Sequence, residues 1–143
     1  MGKALSRALA LLARRAYTEA ELRRRLSRYP EAEVEEALAR LREWGYLDDR
    51  AYAEGFARSR KRRWGSGRLR AELLRRGVGE EVVEEVLPGE DEEVEAAVSL
   101  LARRWSRLGG DRRRAVGFLL RRGFPPEVAE RAYERLREEP PEG

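Results

Sequence analysis

Apolar residues recur at three- and four-residue intervals from one end of this chain to the other, and no stretch keeps the two-residue alternation of a half-buried strand. Leu5, Ala8, Leu9 and Leu12 form the first stripe. Thr18 and Glu21 form a capping box, each side chain satisfying a backbone donor the other end of the turn leaves unpaired. They open a second helix carrying Leu22 and Leu26 and closed near Tyr29-Pro30. Val34, Ala37, Leu38 and Leu41 share one face of a third, which ends at Trp44-Gly45. The plan then starts again. A fourth helix runs from about Asp49 to Trp64 and buries Tyr52, Ala53, Phe56 and Ala57. A fifth holds Leu69, Leu73 and Leu74, with Ser66 placed to cap it and Gly77 to supply a left-handed stop. A short sixth carries Val82, Val83, Val86 and Leu87 up to Pro88-Gly89. The third round opens with the strongest stripe, Val94, Ala97, Val98, Leu101, Trp105 and Leu108, as one helix reaching Gly109-Gly110. Asp111 caps the next, Gly123 ends it, and Pro125-Pro126 opens the last, where proline fits the first turn.

These rounds are copies. LLRRGVGEEVVEEVL, from Leu73 to Leu87, lies over LLRRGFPPEVAERAYERL, from Leu119 to Leu136, and RRRLSRYPEAEVEEALARL, from Arg23 to Leu41, is a weaker version. A period of about 45 residues is that of a helical repeat too small to bury its own apolar face. The prediction is an all-α chain of three tandem three-helix repeats, residues 1–47, 48–88 and 89–139, packed in series as an elongated, curved array. A disordered tail is expected over 140–143.

Composition removes several function classes. The 143 residues contain no cysteine and no histidine, which excludes a disulfide framework, a thiolate zinc site and a Cys or His nucleophile. The apolar runs, such as Ala8 to Ala13, are far short of a membrane span, and the N-terminal stretch lacks the apolar region of a signal peptide. A soluble, cytoplasmic protein is expected, with no membrane partner. Charged residues make up 41% of the chain, and the net charge of +4 hides their arrangement in blocks. Lys3 and Lys61 are the only lysines. That bias suits phosphate and carboxylate forks, although GC-rich codons or growth at high temperature would also produce it.

Between Arg58 and Arg76 stand Arg58, Arg60, Lys61, Arg62, Arg63, Arg68, Arg70, Arg75 and Arg76, opposed only by Glu72. From Glu80 to Glu95 the sign inverts, and from Arg103 to Arg122 it inverts again. The first repeat has a milder basic set that includes Arg24 and Arg25. Like charge gathered without counter-charge costs stability, so the basic segment points to an anionic partner, and a phosphate backbone would bind it in a salt-dependent way. The acidic block has two readings: a solvated, ion-paired helix surface, or a contact for a basic protein. Trp64 has two as well, a platform for a base or a core aromatic at a helix end. Trp44 and Trp105 are expected to be core anchors between repeats. Gly65-Ser66-Gly67 is too short for a phosphate-cradling loop and lacks the Lys-Ser/Thr that follows one. Asp48-Asp49 reads as helix capping, and no helix carries an evident set of base-reading side chains. No catalytic constellation, metal site, cofactor site or small-molecule site is evident.

The segment GYLDDRAYAEGFARSRKRRWGSGRLRAELLRRGV, from Gly45 to Val78, resembles the signature of the RecX family, bacterial regulators of the RecA recombinase. ARRAYTEAELRRRL, from Ala13 to Leu26, is similar to the family's first copy, and LLRRGF to its third. The resemblance implies three three-helix units and a non-enzymatic protein that binds the RecA filament on single-stranded DNA. It further implies inhibition of ATP hydrolysis, strand exchange and coprotease activity, within DNA repair, recombination and the SOS response. The residues expected to touch RecA or DNA are Arg58, Arg60, Lys61, Arg62, Arg63, Arg68, Arg75, Arg76, Arg24 and Arg25, in a protein acting as a monomer. The rival reading is a general nucleic-acid-binding helical protein that acts by competing for DNA.

Overall fold

The structure, a computed structural model, describes residues 2–142; Met1 and Gly143, the latter in the expected tail, lie outside the described residues. The helices are α1 (Lys3–Leu12), α2 (Glu19–Arg25), α3 (Glu31–Glu43), α4 (Asp49–Arg60), α5 (Ser66–Arg75), α6 (Glu80–Val86), α7 (Glu90–Ala102), α8 (Trp105–Leu108), α9 (Arg112–Arg121) and α10 (Pro126–Glu138). Among the described residues there is no strand. The repeated plan is therefore three helices, three helices, then four. The expected single stripe from Val94 to Leu108 is broken: α7 stops at Ala102, Arg104 takes φ −115° and ψ 6°, and Trp105 begins a separate turn. Past that break Trp105 lies against Tyr133 of α10, ring centroids 5.7 Å apart. Likewise α4 ends at Arg60, and Lys61–Arg63 form a turn in which the Arg63 and Trp64 amides donate to the Arg60 carbonyl at 2.8 and 2.9 Å.

Residues group into two compact units, each assembled from two stretches of chain. The first takes the residues up to Gly55 together with Leu73–Val86; the second takes Phe56–Glu72 together with the residues from Leu87 onward. In the first, α1 packs on α3 and the core gathers Leu5, Leu11, Tyr17, Leu22, Leu26, Leu38, Leu41 and Leu47. In the second, α10 packs on α7 and α9 around Leu101, Phe118, Leu119, Phe124, Tyr133 and Leu136. The middle repeat is shared between the units, and its turns show why.

Thr18 is fully buried, and its hydroxyl is used twice. It donates to the Arg76 carbonyl at 2.6 Å and accepts from the Glu21 amide at 3.1 Å, while the Glu21 carboxylate accepts from the Thr18 amide at 3.0 Å. The capping box of α2 is thus also a tie to the end of α5. Gly77, at φ +91°, brings the following turn so close that a Cβ there would overlap the Ala20 side chain. The second unit repeats the arrangement one copy later. The Gly65 and Gly67 amides donate to the carbonyls of Arg122 and Gly123 at 2.8 and 2.9 Å, and a Cβ at Gly65 would overlap the backbone of Gly123 and Phe124. Gly123, at φ +93°, has Arg68 against it in the same way. In both units the glycine of an LLRRG segment receives the start of the preceding repeat's second helix.

Carboxylates complete the joint. Asp49, the first residue of α4, accepts the Glu19 amide at the start of α2 at 2.9 Å, and Glu93 in the first turn of α7 accepts the Ser66 amide at the start of α5 at 2.5 Å. Ser66 is therefore not the cap of α5 but its first residue, and a buried glutamate from the next repeat caps it. Asp48 keeps the local role, accepting the Ala51 amide at 3.0 Å. By contrast α9 is capped by its own Asp111, which accepts the Arg114 amide at 3.2 Å.

Candidate functional site

The basic residues named from the sequence fall into the two units. Arg58, Arg60, Lys61, Arg62, Arg63 and Arg68 belong to the second, around the turn from α4 to α5; Arg24, Arg25, Arg75 and Arg76 belong to the first. The structure brings the first six together and the other four elsewhere.

Around the α4–α5 turn, aromatic rings set the positions of the cations. Phe56 is buried and Trp64 half-buried, their centroids 5.9 Å apart. The Arg60 guanidinium sits 3.8 Å above Phe56 and 5.4 Å from Trp64, and donates to the Ser59 hydroxyl at 2.9 Å. The Arg68 guanidinium covers Trp64 at 3.9 Å. This decides between the two readings of Trp64: with Phe56 beside it and Arg68 over its face, the indole is a bed for arginines, and a base could stack there only by displacing one. A guanidinium lying flat on a ring keeps its edge N–H donors free for a phosphate or carboxylate fork. Arg58 and Arg62 are exposed and make no hydrogen bond or ion pair among the described residues, and Arg63 has only a long bond, 3.5 Å, to the Ser59 carbonyl. Lys61 is the exception, since its ammonium is paired with Glu92 at 2.5 Å.

The same unit adds two arginines of the basic run from Arg103 to Arg122 that are not among the residues expected to touch RecA or DNA. Arg104 and Arg122 each lie 5.0 Å from the Phe118 ring, and neither has a carboxylate partner among the described residues. The repeat contained a signal for Arg122, which stands second in RRG just as Arg76 does. Arg122 also precedes the glycine that receives Gly65-Ser66-Gly67, and its carbonyl accepts the Gly65 amide. The backbone of Arg122 and Gly123 thus meets the start of α5, next to Arg68.

In the first unit the basic residues have local work. The Arg76 guanidinium donates to the Tyr52 hydroxyl at 2.6 Å, tying the end of α5 to α4. Tyr17 carries Arg15 at 3.7 Å and Arg25 at 5.7 Å, a second aromatic bed for arginines. Arg24 and Arg75 line a shallow groove with Glu19, Arg23 and Asp49. Burial holds the Asp49 carboxyl above the ordinary aspartate range, against the opposing effect of the Glu19 amide it accepts.

The acidic run takes the first of its two readings. Glu85 pairs with Arg50 at 2.5 Å, Glu90 with Arg131 at 3.1 Å, Glu92 with Lys61, and Glu95 with Arg135, whose hydrogen bond holds the Glu95 carboxyl below its usual range. Glu93 is buried as the cap of α5. Trp105 does pack against the core of the second unit, but Trp44 does not: it is 44% exposed. Trp44, the C-cap of α3 and three residues after Leu41, continues the face of Ala37 and Leu41 past the helix end, where it lines a groove with Leu5 and Ala37 and keeps its exposure. Among the described residues no group of three or more Asp, Glu, His or Cys could hold a metal ion, and no helix is long and apolar enough to cross a membrane.

Three family models cover most of the chain: the RecX first three-helix domain matches residues 4–41, the second 48–87 and the third 90–133. A regulatory protein RecX of Thermus thermophilus is 54% identical over 142 residues, spanning 99% of this chain and 96% of its own length. That of Deinococcus radiodurans is 43% identical over 131 residues, 87% of this chain and 63% of its own. In three dimensions the fold matches the crystal structure of RecX from Lactobacillus salivarius with a TM-score of 0.86 at 22% identity, covering 95% of this chain and 96% of that one. It matches a second crystal structure, of a regulatory protein RecX, with a TM-score of 0.78 at 30% identity, over 96% of this chain and 72% of that one.

Proposed function

Because the chain belongs to the RecX family, a family of regulatory proteins, we propose that it binds the RecA filament formed on single-stranded DNA and restrains its ATPase, strand-exchange and coprotease activities. It does so as a cytoplasmic monomer, by binding and without chemistry of its own. The observation that carries this reading is the arginine cluster of the second unit. Arg60 and Arg68 lie on Phe56 and Trp64, Arg104 and Arg122 lie on Phe118, and none of the four has a carboxylate partner among the described residues. Guanidinium groups held against rings and without carboxylate partners are already placed, so an incoming phosphate or carboxylate meets them at reduced cost in side-chain entropy. Exposed Arg58 and Arg62 extend the same field outward. Glu90 and Glu95 of the following repeat pair with Arg131 and Arg135, and Glu93 caps α5, so that none of the three takes up one of these four arginines.

The test is RecA ATPase on single-stranded DNA with this protein added far below the amount that coats the DNA. Inhibition at that ratio is expected. Inhibition confined to DNA-saturating amounts would favour the rival, a nucleic-acid-binding protein that competes for the strand.

A further inference from the structure

One surface of the first unit has the opposite character to the arginine cluster. Trp44 is 44% exposed and Tyr46 61%, their rings edge to face with centroids 6.3 Å apart. They stand on an ordered turn. The Gly45 amide donates to the Arg42 carbonyl at 3.1 Å, the Tyr46 amide to the Leu41 carbonyl at 2.9 Å, and buried Leu47 pins the far side. Beside Trp44 runs a groove of about 440 Å³ floored by Leu5 and Ala37 and edged by Glu33 and Glu36. Around this apolar patch the cations are already taken. Arg40 pairs with Glu36 at 3.6 Å and Arg42 pairs with Glu19. Among the carboxylates, Glu33 and Asp48 accept backbone amides and carry no ion pair, and exposed Glu43 has no partner among the described residues.

Two rigid, exposed aromatics on a fixed turn have the make-up of an interface hot spot, because little conformational freedom is lost when they are buried. Carboxylates whose charge no cation cancels, here Glu33, Glu43 and Asp48, repel a phosphate backbone and attract lysine and arginine. The two observations together disfavour a phosphate backbone as the occupant and fit a protein surface with an apolar pocket bordered by basic residues. We propose that the Trp44–Tyr46 turn docks into such a pocket on the recombinase subunits of the filament, as a protein contact in which no phosphate takes part. This rests on the filament reading above and gives it a second point of attachment, chemically distinct from the arginine cluster.

The test compares affinity for the RecA filament with affinity for the bare single-stranded oligonucleotide. The variants are Trp44→Ser with Tyr46→Ser, Tyr46→Ser alone, and Glu43→Lys, each checked by circular dichroism and melting. The double variant should lose at least about tenfold in filament affinity, the scale of a truncated hot spot, and keep its oligonucleotide affinity. Glu43→Lys should weaken filament binding by placing like charge against the basic border. If the double variant melts early, Tyr46→Ser, which removes the more exposed ring, gives the answer by itself. Retained filament affinity in Tyr46→Ser and the double variant, or a parallel fall in oligonucleotide affinity, overturns the inference. A wild-type protein that binds the filament no better than the bare strand would instead bring down the filament reading itself, and this inference with it.

Discussion

Gly65→Ala is the sharpest perturbation of the joint on which the arginine cluster is mounted. The methyl group would fall on the backbone of Gly123 and Phe124, and backbone cannot rotate aside as a side chain can. The turn between α9 and α10 has to retreat. That breaks the bonds from the Gly65 and Gly67 amides to Arg122 and Gly123, at 2.8 and 2.9 Å, for about 1 kcal/mol each. It also disturbs Phe124, 2% exposed, for a further ~1–3 kcal/mol of overpacking. The total is about 3–5 kcal/mol, a large part of the stability of an ordinary domain. For a chain of this size the melting temperature should fall by roughly 10–15 °C. Gly79→Ala is the control, because a Cβ there meets nothing within 4 Å; its effect should stay below about 1 kcal/mol. Thermal melts followed by circular dichroism read the magnitude, and hydrogen exchange at the Gly65 and Gly67 amides reads the location. A Gly65→Ala protein that melts within about 3 °C of the wild type, with those amides still protected, would refute the claim that close backbone approach holds this junction.

Two further outcomes test the electrostatics. Asp49 is held above its ordinary pKa by burial, so the folded state binds a proton more tightly than the unfolded one; that stabilisation is full below the unfolded value of 3.8 and disappears as pH rises through the folded value. Asn keeps an acceptor for the Glu19 amide without the charge, so Asp49→Asn should gain on the wild type between pH 3 and pH 7 in urea titrations, whereas a difference that is flat with pH would contradict the burial argument. Reversing Arg62 and Arg63 to Glu should leave the melt unchanged, as neither makes an ion pair, while weakening filament or strand binding and lowering the log–log salt slope by about 0.7 for each phosphate no longer neutralised; unaltered binding would remove these two residues from the site.

Much of the fold was legible because helices announce themselves locally. Thr18 with Glu21, Asp111, Gly77 and Gly123 act where periodicity and cap chemistry put them. What sequence could not show is what one repeat lends to another. Ser66 looked like a cap because Ser is a good one, yet Glu93, 27 positions away, takes the role and leaves Ser66 inside the helix. Asp48 and Asp49 looked alike in their turn, and only the fold sends one to its own helix and the other to α2. For the candidate site, composition revealed the arginines but not their beds. That Arg60 and Arg68 lie on Phe56 and Trp64 depends on the chain doubling back after Arg60, and the Arg122 backbone reaches that turn only through the docking of Gly123 on Gly65-Ser66-Gly67. Trp44 misled because it is in phase with the buried face of α3, yet it stands one residue past the helix end and stays 44% exposed.

The interleaving of the two units sets an order on the birth of the protein. Translation delivers Thr18 long before Arg76, so the hydroxyl that ends up fully buried has no carbonyl to bind until more than half of the chain has left the ribosome. By then Phe56–Glu72, the arginine-rich stretch that belongs to the second unit, has already emerged, while the residues from Leu87 onward that complete that unit have not. The first unit can close as soon as Val86 is free. Meanwhile the nascent chain carries Arg58, Arg60, Lys61, Arg62, Arg63 and Arg68 with Ser66 still uncapped, beside a ribosome whose surface is rich in phosphate. The segment that gives the folded protein its field is therefore, during synthesis, its most exposed polycation. Glu92 and Glu93, which hold Lys61 and Ser66 in the folded protein, are made only after that segment.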